Sequence, residues 1–99
     1  MIERLVALQV DDKDSYRKYR EGMTPLLDAC GGGFGYDFEI ATVLKSEAGH
    51  PINRVFTIRF PDRETMDAFF SGEAYLKVRG EFFNPAVSGV TEIAAYERD

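Results

Sequence analysis

The segment from Asn53 to Val87 constrains this chain more than any other part of it. It reads N-R-V-F-T-I-R-F-P-D-R-E-T-M-D-A-F-F-S-G-E-A-Y-L-K-V-R-G-E-F-F-N-P-A-V. Arg54, Phe56, Ile58 and Phe60 alternate with Val55, Thr57 and Arg59, the two-residue period of a β-strand. Pro61 stops that strand, and Asp62 offers a carboxylate to the free N–H groups of a helix start. Met66, Phe69 and Phe70 fall on one side of that helix. Ser71-Gly72 breaks it, and Tyr75, Val78, Phe82 and Phe83 continue an apolar face. Pro85 disfavours helical geometry at Asn84 and closes the element.

The flanks complete a pattern. Ile2 to Val10 alternates with two partly apolar faces, which predicts a strand covered on both sides. Asp11-Asp12 supplies carboxylates for a helix start. Tyr16, Tyr19, Met23, Leu26, Leu27 and Cys30 then recur at three- and four-residue steps, one apolar stripe. Thr24-Pro25 predicts a kink or a restart within it, and Gly31-Gly32-Gly33 ends it. Phe34, Tyr36, Phe38 and Ile40 alternate with Gly35, Asp37, Glu39 and Ala41, a strand with one aromatic face and one small or acidic face. Ser46 to Pro51 reads as a loop. The last strand covers about Gly89 to Glu97, with Val90, Ile93, Ala95 and Tyr96 as its apolar members.

The order β-α-β-β-α-β over residues 1–99 is the split βαβ unit of a ferredoxin-like α+β domain. Right-handed crossovers place both helices on one face of a four-stranded antiparallel sheet. The other face carries Leu5, Ala7, Val55 and Thr57, too apolar for water. A second copy packed sheet to sheet would cover it, and the expected assembly is a homodimeric α/β barrel.

Composition narrows the function classes. A net charge of −5 leaves no basic stripe to displace counterions from phosphates, so no nucleic-acid partner is expected. The runs Arg17-Lys18…Arg20-Glu21 and Lys77…Arg79…Glu81 read as solvated helix faces. Cys30 is the one cysteine, which fits a reducing, cytoplasmic setting. The N-terminus carries an acid at Glu3 and lacks a signal-peptide core. No run approaches the roughly 20 apolar residues of a membrane span, so no membrane partner is expected.

Several of these residues together resemble a known group. The Tyr16…Tyr19 helix with Pro25 inside it, the pair Gly31-Gly32 before the second strand, Phe60-Pro61-Asp62, Ala68-Phe69-Phe70 and Glu73-Ala74-Tyr75 are similar to the domain-of-unknown-function family numbered thirteen-thirty. The resemblance spans nearly the whole chain and implies the dimeric α/β-barrel fold, not a reaction. Two positions depart from the family pattern. Cys30 stands where tyrosine is common, and Asp37 where arginine is common in the second strand.

The sheet face away from the helices is the natural place for chemistry. By parity it collects Gln9, Asp37, Glu39, Thr57 and Arg59, with Glu92 or Thr91. One reading is a pocket for a small polar or acidic metabolite, with Arg59 as anion clamp and Asp37 or Glu39 as a base of raised pKa. The other is a salt bridge between Arg59 and an acid. No cofactor and no metal are expected, because His50 is alone in a surface loop and zinc or iron sites want several His or Cys ligands. Cys30 sits at the negative end of a helix, which disfavours a thiolate nucleophile. The glycines at Gly31 to Gly35 follow a helix and precede a strand, the reverse of a phosphate cradle. Among the tyrosines Tyr16, Tyr19, Tyr36, Tyr75 and Tyr96, packing with a satisfied hydroxyl is the favoured reading, Tyr36 as core; the alternative for Tyr16 and Tyr75 is a place near the mouth of a pocket, with their hydroxyls as donors. Three functions remain: a small-molecule binder, a cofactor-independent isomerase or monooxygenase by fold analogy, or an interaction domain without a ligand.

Overall fold

The computed structural model describes residues 1–99. It contains strand β1 (Ile2–Val10), helix α1 (Lys13–Ala29), β2 (Gly33–Glu39), β3 (Arg54–Phe60), α2 (Arg63–Ser71), α3 (Glu73–Val78) and β4 (Val87–Glu97). A π-helical turn, Arg79–Phe83, follows α3 directly. The strands form one antiparallel sheet in the order β2-β3-β1-β4, the ferredoxin-like arrangement expected from the element order.

The local signals act where the sequence puts them. Asp12 caps α1, its carboxylate accepting from the Ser15 N–H at 3.1 Å. Asp62 does the same for α2 through Thr65 at 2.7 Å. Gly31 ends α1 at φ +80°, a conformation glycine adopts without a Cβ clash. Gly72 separates α2 from α3.

The expected kink at Pro25 does not interrupt α1, which is one helix of 17 residues. Pro25 lies on the exposed side. The carbonyl its missing N–H leaves free is that of Glu21, also exposed, where water can satisfy it.

Alternation sorts the sheet into two faces. Ile2, Val6, Leu8 and Val10 of β1 and Phe56, Ile58 and Phe60 of β3 turn toward the helices. There they join Tyr16, Tyr19, Met23, Leu27, Met66, Phe69, Tyr75 and Phe83 in one buried cluster. The opposite parity of β1 and β3, including Leu5, Ala7, Val55 and Thr57, faces the open side. The 40–53 connection runs along that side, where Ile40, Leu44 and Ile52 line an 880 Å³ groove with Val55, Thr91 and Ile93. Asn53 ties its return to β1, exchanging two 2.8 Å hydrogen bonds with the backbone of Val10.

Besides a slip against β4 between Gln9 and Val10, two irregularities change which side chains share a face. In β2 the register slips between Phe34, opposite Ile58, and Asp37, opposite Phe56. In β4 it slips beside Ile93, so that Leu5 faces Ala94 and Val6 faces Glu92. Both are bulges, which re-aim the residues beyond them.

Candidate functional site

The bulge in β2 divides the residues that the sequence grouped on one face. Phe34 stays on the helix side, edge-on to Phe56 at 5.6 Å. Beyond the bulge it is Asp37 that points to the helix side, while Phe38 and its stacking partner Tyr36 (5.8 Å between centroids) face the open side. Tyr36 is 61% exposed and is not a core residue. The extra residue is held in place because the Tyr36 N–H donates to Thr57 Oγ1 at 2.8 Å.

Asp37 therefore never meets Arg59. It takes a fork from Arg54, with Nε at 2.7 Å and Nη2 at 2.8 Å. Arg20 Nη1 approaches it at 3.1 Å. Burial pushes the Asp37 carboxyl up, but the Arg54 hydrogen bond and the charges of Arg20 and Arg54 hold it below the ordinary carboxylate range. The lowered pKa is the reverse of the raised one expected of a base, because the carboxylate is paired with two guanidinium groups. Glu39 lies at the same edge, 3.5 Å from Lys13, with both side chains more than two-thirds exposed.

Gln9, Thr57 and Arg59 remain on the open face, as expected. Thr91 joins them, and Glu92 does not: it pairs with Arg4 on the helix side at 2.6 Å. Gln9 donates to Asp11 at 3.3 Å. Arg59 lies 3.5 Å from Glu3, its cross-strand neighbour, while its buried Nε has no hydrogen-bond partner.

Glu3 was missed as a site residue, although a charged side chain at an apolar strand start is a readable anomaly. It is 3% exposed and accepts hydrogen bonds from the Tyr96 hydroxyl and from Arg98 at 3.1 Å. The Tyr96 bond holds its carboxyl below the ordinary carboxylate range against the opposing effect of burial, with help from Arg98 and Arg59. A folded-state pKa below the unfolded one stabilises the protein above the unfolded value and is lost as pH falls through the folded one. The wild type is thus expected to melt above Glu3→Gln at pH 7, and the difference should close on acidification below about pH 4. Thermal melts of the two proteins at pH 7 and pH 3 check this, and an unchanged gap would contradict it.

His50 and Cys30 take quieter places. The His50 ring is half-buried rather than free on the surface. It packs on Gly89, with Nδ1 2.6 Å from the Pro51 carbonyl and Nε2 2.7 Å from the Thr91 hydroxyl. Cys30 caps α1, its thiol donating to the Leu27 carbonyl at 3.2 Å.

A small, half-open space lies between sheet and helices. A cleft of about 60 Å³ is lined by 14 residues, 11 of them apolar or aromatic, and the other three are Arg4, Arg20 and Arg79. Helix α1 brings Tyr19 and Met23 to it, α3 brings Tyr75, and the π-turn brings Arg79 and Phe83. In that turn the Asn84 N–H donates to the Arg79 carbonyl five residues back, at 3.0 Å. Single π-turns of this kind recur at functional sites.

On one wall the Tyr19 and Tyr75 hydroxyls sit 2.8 Å apart, and Arg79 Nη1 donates to the Tyr75 oxygen at 3.2 Å. Burial pushes the Tyr19 phenol far up, so it stays protonated, and either phenol can be the donor between the two oxygens. Arg20 stacks on Phe34 at 3.9 Å and donates to the Tyr16 hydroxyl at 2.8 Å. Arg20 and Arg79, read from sequence as solvated, are thus half-buried at the edge of the cleft. The four-residue spacing of Tyr75 and Arg79, which places both on one helical face, is a signal that sequence reading passed over.

The sequence profile described as a domain of unknown function (DUF1330) matches residues 4–81. No curated protein matches the chain. Among solved structures, a protein of unknown function from Rhodopseudomonas palustris aligns with TM-score 0.79 at 15% identity, covering 98% of this chain and 81% of that one. A dabb family protein with a ferredoxin-like fold from Mesorhizobium loti aligns with TM-score 0.70 at 15% identity, covering 98% and 95%. A dimeric protein of unknown function and ferredoxin-like fold from Bacteroides fragilis aligns with TM-score 0.63 at 11% identity, again covering 98% and 95%. At these identities the likeness is one of fold.

Proposed function

The chain belongs to the family of the domain of unknown function DUF1330, and we propose that it is a small-molecule-binding protein that works as a homodimer, with its site in the cleft between sheet and helices. The observation that carries this reading is the composition of the cleft. It is an apolar, aromatic-lined space with guanidinium groups at its edge, the common make-up of a ligand site. Arginine and tyrosine are its only polar side chains. They offer hydrogen-bond donors and positive charge but no base of ordinary strength, which supports binding over proton-abstraction chemistry. The dimer is supported by the apolar open face and by the dimeric likeness from Bacteroides fragilis.

Methyl-selective NMR with n-butanol as a neutral probe tests the location. Shifts are expected at Val6, Leu8, Met23 and Ile58. They should vanish in Val90→Phe, which plugs the mouth from an exposed position, Val90 being 51% exposed. Shifts confined to Val55 and Ile93 would move the site to the groove under the 40–53 connection, and no shifts at all would overturn the reading.

A further inference from the structure

Resting on that cleft as the binding site, we infer that its ligand is a carboxylate with a short aliphatic body, whose two oxygens are held by Arg79 and by the Tyr19–Tyr75 hydroxyl pair. Two counts lead there.

The first is of charges. Three guanidinium groups border the cleft. Arg4 is matched by Glu92 at 2.6 Å and Arg20 by Asp37 at 3.1 Å. Arg79 has no carboxylate partner; its neighbours are the Tyr75 hydroxyl and the Phe83 ring, 4.6 Å away. A half-buried cation against aromatic groups is costly to leave unmatched, and an incoming anion meets it where solvent screening is reduced.

The second is of hydrogens. Tyr19 is 6% exposed and Tyr75 3%. Their oxygens are 2.8 Å apart, and Arg79 points an N–H at one of them. Only one phenolic hydrogen can lie between the two oxygens. The other has no acceptor in the protein, whichever tyrosine carries it. Buried hydroxyls are rarely left so. The group that is missing is an acceptor, it sits beside an unmatched cation, and a carboxylate supplies both the charge and two acceptor oxygens.

Size sets the rest. About 60 Å³ is the volume of roughly two waters, enough for the carboxylate group alone, so a short aliphatic tail lies in the open mouth of the cleft. Apolar neighbours such as Phe70 receive that tail.

The test titrates n-butyrate and its neutral isostere butyramide against the intact protein, followed by the same methyl signals. Butyrate is expected to bind about ten- to a hundredfold more tightly than butyramide, the range of a charge-assisted hydrogen bond. In Arg79→Gln the two should come within about threefold of each other, and in Tyr19→Phe the loss should fall on butyrate more than on butanol. Equal binding of butyrate and butyramide by the wild type overturns the carboxylate assignment while leaving the cleft as the site, and this comparison needs no variant. Failure of butanol, butyrate and butyramide alike to reach the cleft signals removes the cleft reading itself.

Discussion

Replacing Phe60 by alanine is expected to lower stability by about 3–5 kcal/mol. Phe60 is 1% exposed at the end of β3, directly before Pro61 and the Asp62 cap. Its ring packs against Phe69 at 5.4 Å and Phe70 at 5.4 Å, both from α2. Phe69 in turn touches Tyr75 at 4.8 Å. Removing the ring takes away the surface on which α2 rests, and the neighbours cannot collapse into the gap because they are fixed to one another. For a domain of about 100 residues each kcal/mol moves the melting temperature by about 4–8 °C, so a drop of at least 12 °C is expected. Leu76→Ala is the control. Leu76 is 49% exposed on α3, and its loss should shift the midpoint by only a few degrees. Both are to be measured at one protein concentration, because association adds to apparent stability. Equal shifts in the two variants would refute the packing of α2 on the sheet.

The same segment shows what was legible in the sequence. Strand alternation, a proline stop, an aspartate cap and an apolar helical stripe are local devices, and each acts within a few residues of itself. That is why β1, β3, the start of α1 and the start of α2 follow directly from their residues, and why the sheet order follows from theirs. The bulge in β2 is different. Phe34, Tyr36 and Phe38 alternate without interruption, so nothing local marks the extra residue. It is created by a partner: the Thr57 hydroxyl captures the Tyr36 N–H, and Arg59 lies over Gly35. A one-residue slip exchanges the faces, and it moved Asp37 away from Arg59 and Gln9. The cleft was hidden for a related reason. A single π-turn is too short to disturb a 3.6-residue period, and Arg79 sits among Lys77 and Glu81 as a surface residue would. Only the approach of α1, which sets Tyr19 against Tyr75, turns it into part of a wall.

A single acid on the open face is expected to convert the protein from dimer to monomer. Five large apolar side chains lie exposed along that side: Tyr36 at 61%, Phe38 at 52%, Val43 at 42%, Ile93 at 54% and Tyr96 at 42%. An apolar patch of this extent is unusual on a protein that stays alone. Phe38 stands on β2 and Ile93 on β4, the two edges of the sheet, so a partner that covers both must span the whole face. A second copy does so through a two-fold axis, which repeats every contact and therefore every defect. Phe38→Asp or Ile93→Asp places two unpaired carboxylates in one interface, each costing several kcal/mol if it stays buried. Either loss exceeds the tenfold in affinity that 1.4 kcal/mol represents, and both positions are too exposed in the single chain for the fold to suffer. Light scattering at micromolar concentration should give twice the 11.2 kDa chain mass for the wild type and the single chain mass for either variant, with melting curves that no longer depend on concentration. A wild type that already runs as a monomer would sink the barrel. Variants that remain dimeric would place the interface elsewhere and leave the open face to the 40–53 connection alone.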